Sequence, residues 1–210
     1  MENSTVSSNK FDSEDTENFG GIYSPDRTVE IINSTISNNS DGGIYSGSNS
    51  KFTNTTISGN ATKGIYTSNN STITNSVISN NTNYGLYVEG SSLSIENTTI
   101  TYNGTGIYAY EATLSLMNTI SYFNTTSQID GSSGSSITID YSDIQNGVTY
   151  GSWATGTGNI DADPSFISTS NYHLNTGSPC IDTGNPDDQY KDKDGTRNDM
   201  GAYGGPKGDW

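Results

Sequence analysis

The chain has 210 residues and a formal net charge of −15, and Leu, Ile, Val and Phe together fill only 35 positions. Eight Lys and Arg residues, arranged in no stripe, argue against nucleic acid and anionic lipid as partners. No run of eighteen apolar residues exists, Met1-Glu2-Asn3-Ser4 lacks the basic and apolar parts of a signal peptide, and the single cysteine, Cys180, excludes an intrachain disulfide.

So acidic and apolar-poor a composition is that of disordered chains, yet twenty of the 35 apolar residues are Ile recurring at fixed spacing with Gly, Asn and Thr. That regularity points to a periodic fold. The first element, Asn3-Ser4-Thr5-Val6-Ser7-Ser8-Asn9, already has the pattern of a strand repeated later. The chain is therefore expected to begin inside a solenoid, as an N-terminally truncated piece without the polar cap that shields an open edge. An acidic stretch follows, with Asp12, Glu14, Asp15 and Glu17, and the interval from Val6 to Ile36 is 30 residues. Residues 11–18 are read as a loop bulging from the first turn.

From there three elements recur in phase. Gly-Ile-Tyr begins at Gly21, Gly43, Gly64 and Gly106, with Gly85-Leu86-Tyr87 in register, at intervals of 22, 21, 21 and 21. A second element reads Asn33-Ser34-Thr35-Ile36-Ser37, Asn54-Thr55-Thr56-Ile57-Ser58, Asn75-Ser76-Val77-Ile78-Ser79 and Asn97-Thr98-Thr99-Ile100-Thr101. Between them lie Val29-Glu30-Ile31, Thr72-Ile73-Thr74, Leu93-Ser94-Ile95, Leu114-Ser115-Leu116 and Ile137-Thr138-Ile139. Three short alternating strands separated by Gly, Asn or Ser describe one triangular turn. The predicted fold is all-β: a right-handed, single-stranded parallel β-helix with three strands per coil of about 21 residues. Helical repeats do not fit this spacing, and five leucines are too few for a leucine-rich repeat. Six coils would make a stem on the order of 29 Å tall. Residues 1–150 are assigned to the coils, and 151–210 to the last coils and a C-terminal cap.

With Ile22 facing inward, strand alternation sends Tyr23 outward, and the same holds in every copy. Asn39, Asn60, Asn81 and Asn103 fall at a corner, where stacked carboxamides can bond to the coils above and below. Asn33, Asn54 and Asn97 also begin N-x-Ser/Thr sequons, but the repeat produces that motif without glycosylation.

Gly-Ile-Tyr followed by Asn-x-Thr-Ile-Ser-x-Asn resembles bacterial right-handed parallel β-helix repeat proteins, related in fold to pectate lyases and to the repeats of polymorphic outer membrane proteins. Asp161-Ala162-Asp163-Pro164-Ser165-Phe166, Tyr172-His173-Leu174, Gly177-Ser178-Pro179-Cys180-Ile181-Asp182 and Asp199-Met200-Gly201-Ala202-Tyr203-Gly204-Gly205 look like the end of exported β-helix proteins that continue into a surface anchor. The resemblance implies a secreted or cell-surface protein. It supplies a fold and a location rather than a reaction.

Polysaccharide lyases on this fold use Arg, Lys or His as base, but Arg27, Lys51 and Lys63 fall at different points of the repeat, with no base among clustered carboxylates. Asp26, Glu30, Asp41, Glu89, Glu96 and Glu111 are scattered, whereas glycoside hydrolysis needs a pair of carboxyls about 5 to 9.5 Å apart. His173 has no Ser or Cys partner and is expected to hydrogen-bond within the cap. The best candidate is the outward column Tyr23, Tyr45, Tyr66, Tyr87 and Tyr108, rings about 4.8 Å apart along one face. Such a row suits a polysaccharide, although cross-strand stacking that stabilises the solenoid is the favoured account of it as a structural device. A second row, Thr35, Thr56 and Thr99 beside Ser37, Ser58 and Thr101, resembles the arrays of ice-binding solenoids, although Val77 interrupts it. In the tail, Asp187, Asp192 and Asp194 begin a pattern like a short calcium loop, with Lys191 and Lys193 as competing partners. Arg197 is expected to pair with Asp182 or Asp199.

The sequence thus supports a monomeric, non-catalytic secreted or surface module, a stalk or a polysaccharide-binding face, with structural calcium as the cofactor it suggests. The alternatives are the C-terminal part of a polysaccharide lyase or glycoside hydrolase, and an ice-binding solenoid.

Overall fold

The computed structural model describes residues 1–9, 20–132, 134–149 and 152–210. The acidic segment 11–18 lies outside the described residues. Every described strand of the coils pairs in parallel with its counterparts one coil away, as a stack of similar turns requires. The product is a right-handed parallel β-helix with three faces.

The Gly-Ile-Tyr segments line one face, where Ile44, Ile65, Leu86, Ile107 and Ile129 form a continuous column with no solvent exposure. The third element forms the next face, where Phe52, Ile73, Ile95, Leu116 and Ile139 follow one another inward. Lys51-Phe52-Thr53, between the copies at Ile31 and Ile73, is a further copy that the aliphatic pattern did not reveal. In two coils these faces share one bent strand, Ile22–Ile32 and Ile44–Thr53, which joins them into an eleven-stranded sheet. The Asn-x-Thr-Ile-Ser segments make a separate seven-stranded sheet with Val6, Ile36, Ile57, Ile78 and Ile100 pointing inward. Each such aliphatic side chain contributes roughly 1.5–3 kcal/mol by leaving water.

The corner between this sheet and the tyrosine face carries the asparagine ladder. The Asn39 side-chain oxygen accepts from the amide and side chain of Asn9, Asn60 does so from Asn39, Asn81 from Asn60, Asn103 from Asn81 and Asn124 from Asn103, at 2.9 to 3.2 Å. Gln128 follows the asparagines, its Oε1 accepting from Asn124 Nδ2 at 2.6 Å and its Nε2 donating to Asn124 O at 3.0 Å and to Gln145 Oε1 at 3.1 Å. The glycine of Gly-Ile-Tyr follows from this packing. A Cβ on Gly64 would lie 2.5 Å from the Gly85 carbonyl oxygen and 2.8 Å from Asn81 Nδ2. In the sixth coil, Gln128 occupies the glycine's place, next to Ile129.

The tail beyond the coils folds back along the outside of the seven-stranded sheet. It contains a short antiparallel pair, Phe166–Ser168 with Asn171–Leu174, and one 3-10 turn, Asp188–Tyr190. Ile120 and Tyr122 face outward yet are buried against Cys180 and Met200, while Val77 is buried against Tyr172 and Ala202. The apolar interruption at Val77 is thus a docking point for the tail.

Candidate functional site

Tyr23, Tyr45, Tyr66, Tyr87 and Tyr108 stand directly opposite one another in successive strands. Their ring centroids are 5.1, 4.5, 5.4 and 4.9 Å apart, and the planes range from nearly parallel to tilted by 46°. Tyr23 is 43% exposed and the other four are half-buried. Since neighbouring rings cover much of each other's faces, the surface offered to a ligand is a ribbon of ring edges and hydroxyls about five coils long.

Three further side chains complete this ribbon. Tyr84 meets Tyr87 edge-on at 5.3 Å and Tyr108 at 5.4 Å, widening the column to two rings. Tyr110, 38% exposed, stands opposite Glu89, which accepts a 2.7 Å hydrogen bond from the Tyr66 hydroxyl. Burial, and then the bond to Glu89 and its charge, push the Tyr66 phenol well above its ordinary pKa. Tyr87 is raised by burial and by the same carboxylate. These phenols therefore stay protonated at neutral pH, the Tyr66 proton being held by Glu89. Asp130 follows Tyr108 in register, and Lys63 Nζ lies 5.3 Å from the Tyr87 ring centre. Tyr84, Glu89 and Tyr110 fall outside the Gly-Ile-Tyr triplet, so a search on that triplet misses them. Outward parity from Tyr87 and Tyr108 does reach Glu89 and Tyr110.

The threonine row is not an open array. Thr99 and Thr101 are buried beneath the tail, Thr99 Oγ1 accepts from the Ala202 amide at 3.0 Å, and only Thr35, Thr56, Ser37 and Ser58 retain part of their exposure. The sequon residue Asn97 is likewise buried, its Nδ2 donating to Asn198 Oδ1 at 3.2 Å.

Asp187, Asp192 and Asp194 serve the tail's own turns. Asp192 accepts from the amides of Asp199, at 3.0 Å, and Gly205, and Asp194 accepts from the amide and hydroxyl of Thr196 at 2.9 and 2.7 Å. The Asp187 carbonyl accepts from the Tyr190 amide, and Lys191 pairs with the adjacent Asp188 at 2.8 Å. Among the described residues no three His, Cys, Asp or Glu side chains are grouped so as to hold a metal ion. Arg197 donates to the carbonyls of Gly184, at 2.7 Å, and Thr183, at 3.1 Å, rather than to Asp182 or Asp199. His173 bonds to Asn171 at 2.7 Å and stacks on Tyr203 with centroids 3.6 Å apart.

A stack of parallel coils with an aromatic ribbon on one face defines the class: a β-solenoid whose outward columns are set by its repeat. Residues 20–167 match the family described as "Right handed beta helix region", and the chain belongs to that family. Among solved structures, a crystal structure of pectate lyase Pel9A is similar at 15% identity and a TM-score of 0.42, covering 83% of this chain and 72% of that one. None of the curated proteins matches the chain. No helix among the described residues is long and apolar enough to cross a membrane.

Proposed function

We propose that this chain is a non-catalytic module of the cell exterior whose tyrosine face holds a neutral polysaccharide along the axis of a stiff stem. The observation that carries the reading is the uninterrupted run of five outward tyrosines with their rings 4.5 to 5.4 Å apart. Aromatic edges contact sugar C–H groups, protonated phenols bond to sugar hydroxyls, and a repeating ligand multiplies individually weak contacts. Charge selects within that class. Glu89 and Asp130 border the ribbon, and a polyuronate would meet like charge there.

The test is retardation in native gels containing neutral β-glucan, xylan or mannan, compared with polygalacturonate. Wild-type protein is expected to be slowed by at least one neutral polymer and not by polygalacturonate. A protein carrying Tyr45→Ala, Tyr66→Ala and Tyr87→Ala together is expected to run as it does without polymer while keeping its β-type circular dichroism. Equal retardation of both proteins contradicts the proposal. New reducing or unsaturated ends on incubation with wild-type protein would support a lyase or hydrolase instead.

A further inference from the structure

The seven-stranded sheet has its own corner column, Asn33, Asn54, Asn75, Asn97 and Asn118, all at φ of 43 to 51°. Asparagine tolerates that left-handed conformation better than most residues. The column also grips the tail. Asn75 Nδ2 donates to the carbonyls of Ala202 and Gly204 at 3.1 and 2.6 Å, Asn97 Nδ2 donates to the Asp199 carbonyl at 3.1 Å, and Asn118 Oδ1 accepts from the Asn185 amide at 2.7 Å.

Asn33 and Asn54 belong to the same column but border a cleft with Trp210. The indole Nε1 donates to the Ala202 carbonyl at 3.0 Å, and the ring packs on Tyr203 at 5.3 Å. Asn3, Asn33, Ser34, Thr35, Asn54 and Trp210 line a cleft of about 410 Å³. Asn54 Nδ2 donates to Asn33 Oδ1 at 3.1 Å, and the Asn54 carboxamide oxygen is buried and accepts no hydrogen bond among the described residues, so Asn33 is the exposed carboxamide of the pair.

This lining is selective by its chemistry. It has no cation for a phosphate, sulfate or uronate, and too many carboxamides and hydroxyls for a lipid chain. An aromatic wall facing carboxamides and hydroxyls suits a ring with C–H faces and hydroxyl edges. We propose that the cleft is a second carbohydrate subsite, holding one neutral sugar ring against Trp210 with its hydroxyls bonded by the exposed carboxamide of Asn33. The cleft lies on a different face from the tyrosine ribbon, and the proposal stands independently of it.

The chain has two tryptophans, so Trp153→Phe leaves Trp210 as the only indole. This variant, titrated with cellohexaose, xylohexaose, mannohexaose and maltohexaose, is expected to show a saturable change in tryptophan emission with at least one of them. Adding Asn33→Ala is expected to weaken that response about tenfold, the effect of one lost hydrogen bond. Adding the three tyrosine-to-alanine changes is expected to leave it intact. Wild-type protein against Trp210→Phe gives the same comparison with Trp153 in place: response in the first, none in the second. Silence with all four sugars overturns the proposal, as does a response that Asn33→Ala leaves unchanged or the tyrosine changes abolish. A response to an uncharged tripeptide amide without any to sugars would assign the cleft to peptide backbone and overturn it equally. Because the ribbon is read by gel retardation and the cleft by Trp210 emission, either reading can fail alone.

Discussion

Asp143 stands in register with the outward Ile120, yet it has no solvent exposure because the tail closes over it. One carboxylate oxygen accepts from the Ala162 amide at 3.1 Å and the other lies 3.2 Å from Cys180 Sγ. Burial pushes the acid up to about 7, against the two hydrogen bonds that favour its charged form, and Asp161 and Asp163 add repulsion. Asp192 is raised to about 6, again chiefly by burial. The sign follows from linkage. Between about pH 4, where the unfolded carboxyl ionises, and about pH 7, where the folded one does, the folded state holds the extra proton, so stability falls as pH rises. Thermal melts are expected to give a higher Tm at pH 5 than at pH 7.5. Asp143→Asn should flatten that slope, and an unchanged slope in the variant would contradict the burial argument.

At the scale of the element, the asparagine ladder makes the clearest demand on sequence. Asn81 Oδ1 accepts two bonds from Asn60, and its Nδ2 donates to Asn103 Oδ1 and the Ile57 carbonyl, at 2.9 to 3.2 Å. Asn81→Ala strands several buried polar groups and is expected to cost roughly 2–4 kcal/mol in denaturant unfolding. Asn38 lies on the outer turn at φ 54°, where the next coil has Gly59 at φ 64°. Asn38→Gly should be nearly neutral there, whereas Asn38→Val should cost about 1–2 kcal/mol for the same backbone.

Much of this was legible in the sequence, because a 21-residue period fixes which isoleucines stack and strand parity then fixes which tyrosines do not. The ladder was legible for the same reason. Periodicity failed where the outward column changes character: Val77, Ile120 and Tyr122 are apolar on the outer side because the tail covers them. No repeat rule anticipates an aperiodic segment returning over a hundred residues, as Asn97 to Asn198 and Thr99 to Ala202 do. The aspartates of the tail were visible as a cluster in sequence but not as acceptors for Asp199, Gly205 and Thr196, which only the folded turns bring into place.

As a whole molecule, the chain is a stem with unlike faces: one covered by its own tail, one lined by stacked tyrosines. The central claim is that those tyrosines act as one extended surface, and the dependence of affinity on ligand length tests it most directly. Dissociation constants measured by calorimetry for a length series of whichever neutral oligosaccharide binds should fall steadily until the ligand spans the five rings, roughly 20 Å in steps of about 4.8 Å, and then level off. A constant independent of length, from the shortest ligand to the longest, would contradict an extended tyrosine surface.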